Sequence, residues 1–134
     1  MRTSRPAKRA ALLLIGHGSR VGSANRLLRR LARDLNARFP GRVIEACFLE
    51  AARPDIPAGI NRCVRRGVSR ILFVPYFLYL GGHVGRDLPR AAARARARHP
   101  HLTIRIAPHL GADPRLLAIV SHRIRRGLRA SRWS

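Results

Sequence analysis

Four short apolar runs alternate with four longer amphipathic stretches, and this rhythm most constrains what the chain can fold into. The runs are Leu12–Ile15, Arg42–Leu49, Val68–Val74 and Leu102–Ala107. Runs of this length, bounded by glycine, proline and charged residues, read as strands. After the first, Ser23 caps a helix reaching about Arg38, with Leu27, Leu28, Leu31 and Leu35 on one face. Phe39-Pro40-Gly41 stops it. Asp55 to about Arg66 makes a shorter helix, with Ile60 and Val64 four apart and Gly67 as its C-terminal stop. Pro75 breaks the ladder of the third strand, and Tyr76-Phe77-Leu78-Tyr79-Leu80 runs on as an apolar loop to Gly81-Gly82-His83. Asp87 and Pro89 open an alanine- and arginine-rich helix that His99-Pro100 closes. Asp113 as N-cap and Pro114 in the first turn start the last helix, whose apolar face is Leu116, Leu117, Val120 and Ile124.

Strand and helix alternating four times predict an α/β fold: a four-stranded parallel sheet with helices on both faces. The simplest strand order is 2-1-3-4. One domain over residues 11–130 accounts for every element, with residues 1–10 a basic N-terminal arm and 131–134 a C-terminal tail.

That order makes strands 1 and 3 neighbours, with a topological switch point between them, and ligands bind at the carboxyl edge there. Gly16-His17-Gly18-Ser19 leaves strand 1 at this edge, Glu50 follows strand 2, and His83 follows strand 3. Two imidazoles and a carboxylate on three converging loops suit a divalent cation such as Co²⁺, Ni²⁺, Fe²⁺ or Zn²⁺. Each residue alone also has a plainer reading. His17 can be a turn histidine, Glu50 a partner of Arg53 or another arginine, and His83 a helix-entry residue. His99, His101, His109 and His122 read as surface or turn residues.

Charge narrows the ligand. Lysine and arginine total 28 against 6 acidic residues, a net charge of +22, which favours anionic partners. The same field repels a cation in transit, so a metal site here needs local acid, and Glu50 and Asp87 are the acids near these loops. Lys8, the single lysine, precedes every strand, so no Walker A lysine exists and P-loop ATP hydrolysis is excluded. Gly16-His17-Gly18 does not continue into a dinucleotide-binding G-x-G-x-x-G, and Cys47 and Cys63 are too far apart for a C-x-x-C redox pair. The two cysteines imply no disulfide framework, which sets a reducing, cytoplasmic expectation. No apolar run approaches the roughly 18–20 residues that span a bilayer.

Taken together, Leu13–Arg20, Phe48-Leu49-Glu50 with Pro54 after it, and Val74-Pro75-Tyr76-Phe77-Leu78 leading to Gly81-Gly82-His83 resemble the short form of the class II chelatases. These enzymes insert metal into sirohydrochlorin. The similarity runs from about Leu12 to Leu128. It implies a chelatase-like half-domain and ATP-independent insertion of Co²⁺ first, with Fe²⁺ or Ni²⁺ as further metals, on the way to cobalamin or sirohaem. It places His17 and His83 on the family's metal-binding histidines and Glu50 where related chelatases hold a carboxylate. It also implies a homodimer, since longer relatives carry two such halves in one chain.

The substrate chemistry fits the composition. An anionic tetrapyrrole would be drawn to an arginine rim, for which Arg20, Arg26, Arg53 and Arg86 are candidates. Tyr76, Phe77 and Tyr79 offer faces for the macrocycle beside Gly82. Two rivals remain. A nucleic-acid-binding α/β module would use the charge, but needs clustered arginines interleaved with stacking aromatics rather than dispersed ones. A histidine phosphatase also places His-Gly after strand 1, but wants an arginine where Gly16 stands.

Overall fold

In a computed structural model of the protein, which describes residues 10–130, strands and helices alternate throughout. They are β1 (Ala11–Gly16), α1 (Gly22–Arg38), β2 (Ile44–Phe48), α2 (Ile56–Arg65), β3 (Arg70–Pro75), α3 (Gly82–Arg98), β4 (Thr103–Ile106) and α4 (Pro114–Ala130). The sheet is wholly parallel in the order β2-β1-β3-β4, as the alternation predicts. The expected N-terminal arm, apart from Ala10, and the expected tail at 131–134 lie outside the described residues.

Alternation along each strand sends side chains to two cores. On one face Leu13, Ile15, Ile71 and Phe73 pack with Ile56, Ile60 and Cys63 of α2 and Leu88, Ala92 and Ala95 of α3. On the other, Leu14 and Phe48 pack with Leu28 and Ala32 of α1, and this smaller core fades out at Val74. All six residues of β1 are buried, as befits a central strand covered on both sides.

Three local expectations are corrected. The first helix begins at Gly22 behind Val21, so Ser23 lies inside it and makes no cap. α3 begins at Gly82, not at Asp87, so Pro89 sits in the helix interior and His83 in the first turn. Proline is tolerated there because Gly85, whose carbonyl loses its partner, is exposed to water. Pro75 ends β3 rather than cutting its pairing short: it stands opposite Ile15, and the Tyr76 N–H still donates to the Ile15 carbonyl at 2.8 Å.

Asp113 does cap α4, accepting the Arg115 N–H at 2.9 Å and its guanidinium at 2.7 Å. Its apolar stripe, however, is not part of the core. No residue of α4 is buried, and Leu117 and Ile124 are 69% and 55% exposed.

Candidate metal-handling site

Two backbone bonds continue the β1–β2 pairing, the first from the end of β1 and the second beyond both strands. Leu49 donates to the Gly16 carbonyl at 3.0 Å and Glu50 to the His17 carbonyl at 3.1 Å. In a parallel ladder this register sets the two loops side by side. His17 Nε2 consequently lies 3.0 Å from Glu50 Oε1, with both side chains more than half exposed.

The turn tolerates little substitution. Gly18 has φ +94°, and a Cβ there would drive into the Glu50 carbonyl oxygen. Glycine is required on both counts. At Gly16 a Cβ would come within 2.8 Å of the Leu28 side chain.

Behind the turn stands a residue that sequence reasoning missed. Asn25, the buried polar side chain of the described core, accepts the Ser19 N–H at 2.9 Å and donates to the Ser19 carbonyl at 2.7 Å. Ser19 Oγ in turn accepts the Val21 N–H at 3.0 Å. The sequence signal is faint: one asparagine on the inward side of a leucine- and arginine-rich helix.

From the third strand, Phe77 meets the His17 ring edge-on, with centroids 6.5 Å apart at 86°. Phe77 is buried, and its carbonyl accepts the Leu110 N–H at 3.0 Å, which ties the loop after β4 to this wall. Its side chain therefore belongs to the core and supports His17. The other proposed macrocycle contacts do face solvent: Tyr76 is 40% and Tyr79 79% exposed. Leu78 and Leu80 are exposed with them.

The structure thus assembles two of the three predicted ligands. His83 is exposed at the start of α3. Among the described residues no group of three or more His, Cys, Asp or Glu side chains is placed to hold a metal ion. Glu50 pairs with His17 and not with Arg53. Arg20, Arg26, Arg53 and Arg86 are all exposed, and Arg86 Nε donates to the Gly82 carbonyl at 3.1 Å. The Arg53 carbonyl accepts from Arg29, whose guanidinium lies over the Phe48 ring.

Cys47 and Cys63 are buried and unpaired, and burial pushes both thiols well up, Cys63 to about 12. Both stay protonated near neutral pH and serve as apolar core residues rather than nucleophiles or ligands. No helix among the described residues is long and apolar enough to cross a membrane.

Comparison with known proteins identifies the family. The CbiX family model matches residues 11–127. The sirohydrochlorin ferrochelatase of Bacillus subtilis is 32% identical over 115 residues, covering 86% of this chain and 44% of that protein. The sirohydrochlorin cobaltochelatase of Methanocaldococcus jannaschii is 36% identical over 89 residues, covering 66% of this chain and 62% of that one. Among solved structures, the sirohydrochlorin chelatase SirB of Bacillus subtilis subspecies spizizenii, in complex with cobalt, superposes with a TM-score of 0.82 at 33% identity. That match covers 88% of this chain and 50% of the other. The chain therefore spans less than two thirds of these relatives' length. With a family match across nearly every described residue and a shared fold, the chain belongs to the CbiX family.

Proposed function

We propose that the protein is a sirohydrochlorin chelatase that inserts a divalent metal without ATP, acting as a lyase in the cytoplasm. The observation that carries this reading is the His17–Glu50 pair at 3.0 Å on the open carboxyl edge of the sheet. Relatives named as cobaltochelatases and ferrochelatases support the substrate class. Cobalt is the metal proposed first, with iron and nickel as further substrates, and the product feeds cobalamin or sirohaem synthesis.

Insertion demands two things of a protein: a place to hold the cation beside the ring, and a base for the two pyrrole protons the metal displaces. His17 and His83 are assigned to the cation, with Glu50 beside them. As the metal passes to the pyrrole nitrogens, one of the two histidines, or Glu50, is freed to accept a pyrrole proton. His83, exposed in the first turn of α3, is the third group assigned to the cation. Arg20, Arg53 and Arg86 attract the carboxylates of the tetrapyrrole, while Tyr76 and Tyr79, with Gly82 leaving room, lie against its face. The active assembly is a homodimer.

The test mixes purified protein with sirohydrochlorin and Co²⁺, Fe²⁺ or Ni²⁺ without nucleotide and follows the visible spectrum. Acceleration with at least one metal is expected. Rates equal to the uncatalysed reaction with all three would overturn the reading.

A further inference from the structure

Glu50 sits in a short loop, residues 49–54, that leaves β2 and ends at Asp55, the cap of α2. The loop does not rest in a relaxed shape. Ala51 is the one non-glycine residue among those described with a positive φ, +61°. A β-carbon disfavours that left-handed region, so contacts around the loop must hold it there. Its two ends are tied together, since the Phe48 N–H donates to the Pro54 carbonyl at 2.9 Å. Ala52 is half-buried against the core beneath α1. The far limb has a further hold that comes from another element. Arg29 of α1 donates from Nη2 to the Arg53 carbonyl at 2.9 Å.

The same guanidinium lies over the Phe48 ring, 5.3 Å from its centroid. Phe48 is buried directly under the turn that carries His17: β-carbons placed on Gly16 and Gly18 would lie 3.5 and 3.2 Å from its side chain. One planar group thus bridges α1, the floor of the His17 turn and the far limb of the Glu50 loop. Arg29 has no carboxylate partner among the described residues; its charge meets a ring and a carbonyl instead. A guanidinium can stack by its face while donating in its own plane. An ammonium has no such face and cannot do both from one position.

We propose that Arg29 is a positioning residue for metal insertion: stacked on Phe48 and bonded to the Arg53 carbonyl, it clamps the Glu50 loop so that the carboxylate stays against His17. It acts through Glu50. This rests on the chelatase reading above and adds to it how the carboxylate is held.

The experiment compares full-length wild type, Arg29→Ala and Arg29→Lys. Arg30→Ala serves as the control, since it removes one charge from the same exposed stretch of helix. Arg29 is exposed, so no variant should unfold the chain. Exchange of the Glu50 amide proton, read by NMR without metal or sirohydrochlorin, should quicken about tenfold in both Arg29 variants and stay unchanged in Arg30→Ala. Amides of β1 and β3 should exchange as in the wild type throughout. In the insertion assay both Arg29 variants should lose about tenfold or more in kcat, while KM for sirohydrochlorin stays within about twofold.

An arginine that only draws in an anionic macrocycle gives the opposite pattern. KM then rises in Arg29→Ala and in Arg30→Ala, lysine at position 29 restores it, and the Glu50 amide does not move. That result overturns the proposal, as does a lowered thermal midpoint with kcat unchanged in the folded fraction. Amide exchange reads the clamp whether or not metal is inserted. A wild type that inserts no metal, with Glu50 loosened in both Arg29 variants, therefore sinks the chelatase reading and leaves the clamp. An unmoved Glu50 amide in a wild type that does insert metal sinks the clamp alone.

Discussion

His17 Nε2 and Glu50 Oε1 are 3.0 Å apart although 33 positions separate them in the chain, because backbone bonds from Leu49 to Gly16 and from Glu50 to His17 continue the pairing of β1 and β2 into the loops. The contact belongs to the sheet register, and the loops inherit it. Removing the carboxylate should leave the fold intact, since both side chains are exposed and an exposed pair contributes at most about 1 kcal/mol. Glu50→Gln is expected to keep the thermal midpoint within about 2 °C and to slow metal insertion by about 10²-fold or more. Melting curves and a spectrophotometric insertion assay on the same preparation check both halves.

Gly18→Ala should damage both properties. The left-handed backbone costs a β-carbon about 1–3 kcal/mol, and the collision with the Glu50 carbonyl adds to it. The midpoint is expected to fall by several degrees and activity to be lost, as the turn can relax only by moving His17 away from Glu50. An alanine variant with unchanged stability and rate would mean the turn has another conformation.

Asn25→Ala leaves the Ser19 N–H and carbonyl without partners in a half-buried turn, a loss of about 1–3 kcal/mol. Asn25→Asp keeps the acceptor and loses the donor, so it should fall between alanine and wild type in denaturant midpoint. Metal insertion should follow the same ranking, since Ser19 lies two residues from His17.

Alkaline pH should weaken the fold through the thiols. In the unfolded chain Cys47 and Cys63 ionise near 9.0, whereas burial holds them protonated in the fold, Cys63 to about 12. The folded state then binds more protons, so stability is fully present below pH 9 and declines as pH rises above it. Denaturant midpoints from pH 7 to 10.5 should show this fall, and Cys47→Ala with Cys63→Ala should flatten it while costing some stability at neutral pH. A thiol reagent at pH 7 should label neither residue until the protein unfolds.

Much of this architecture was legible in the residues. β1 and β3 announce themselves as apolar runs, and right-handed crossovers between parallel strands leave few orders, so the edge carrying His17 and Glu50 followed. Their actual contact needed the register, which no local pattern prints. Asn25 stayed hidden because its value lies in hydrogen bonds to a turn six residues back. The start of α3 was missed because Gly81, Gly82 and Pro89 all resemble stop signals, and they are outweighed by Leu88, Ala92 and Ala95 packing on the sheet. The stripe on α4 was read correctly as apolar, but periodicity says that a face wants cover and not what supplies it.

The central claim is that His17, Glu50 and His83 handle the metal, and single-turnover insertion of Co²⁺ into sirohydrochlorin tests it most directly. Wild-type protein, His17→Ala and His83→Ala are compared at equal folded concentration without ATP. The account predicts rapid insertion by the wild type and a loss of about 10²-fold or more in each variant, with thermal midpoints unchanged to within about 2 °C. Full activity in both histidine variants would contradict it.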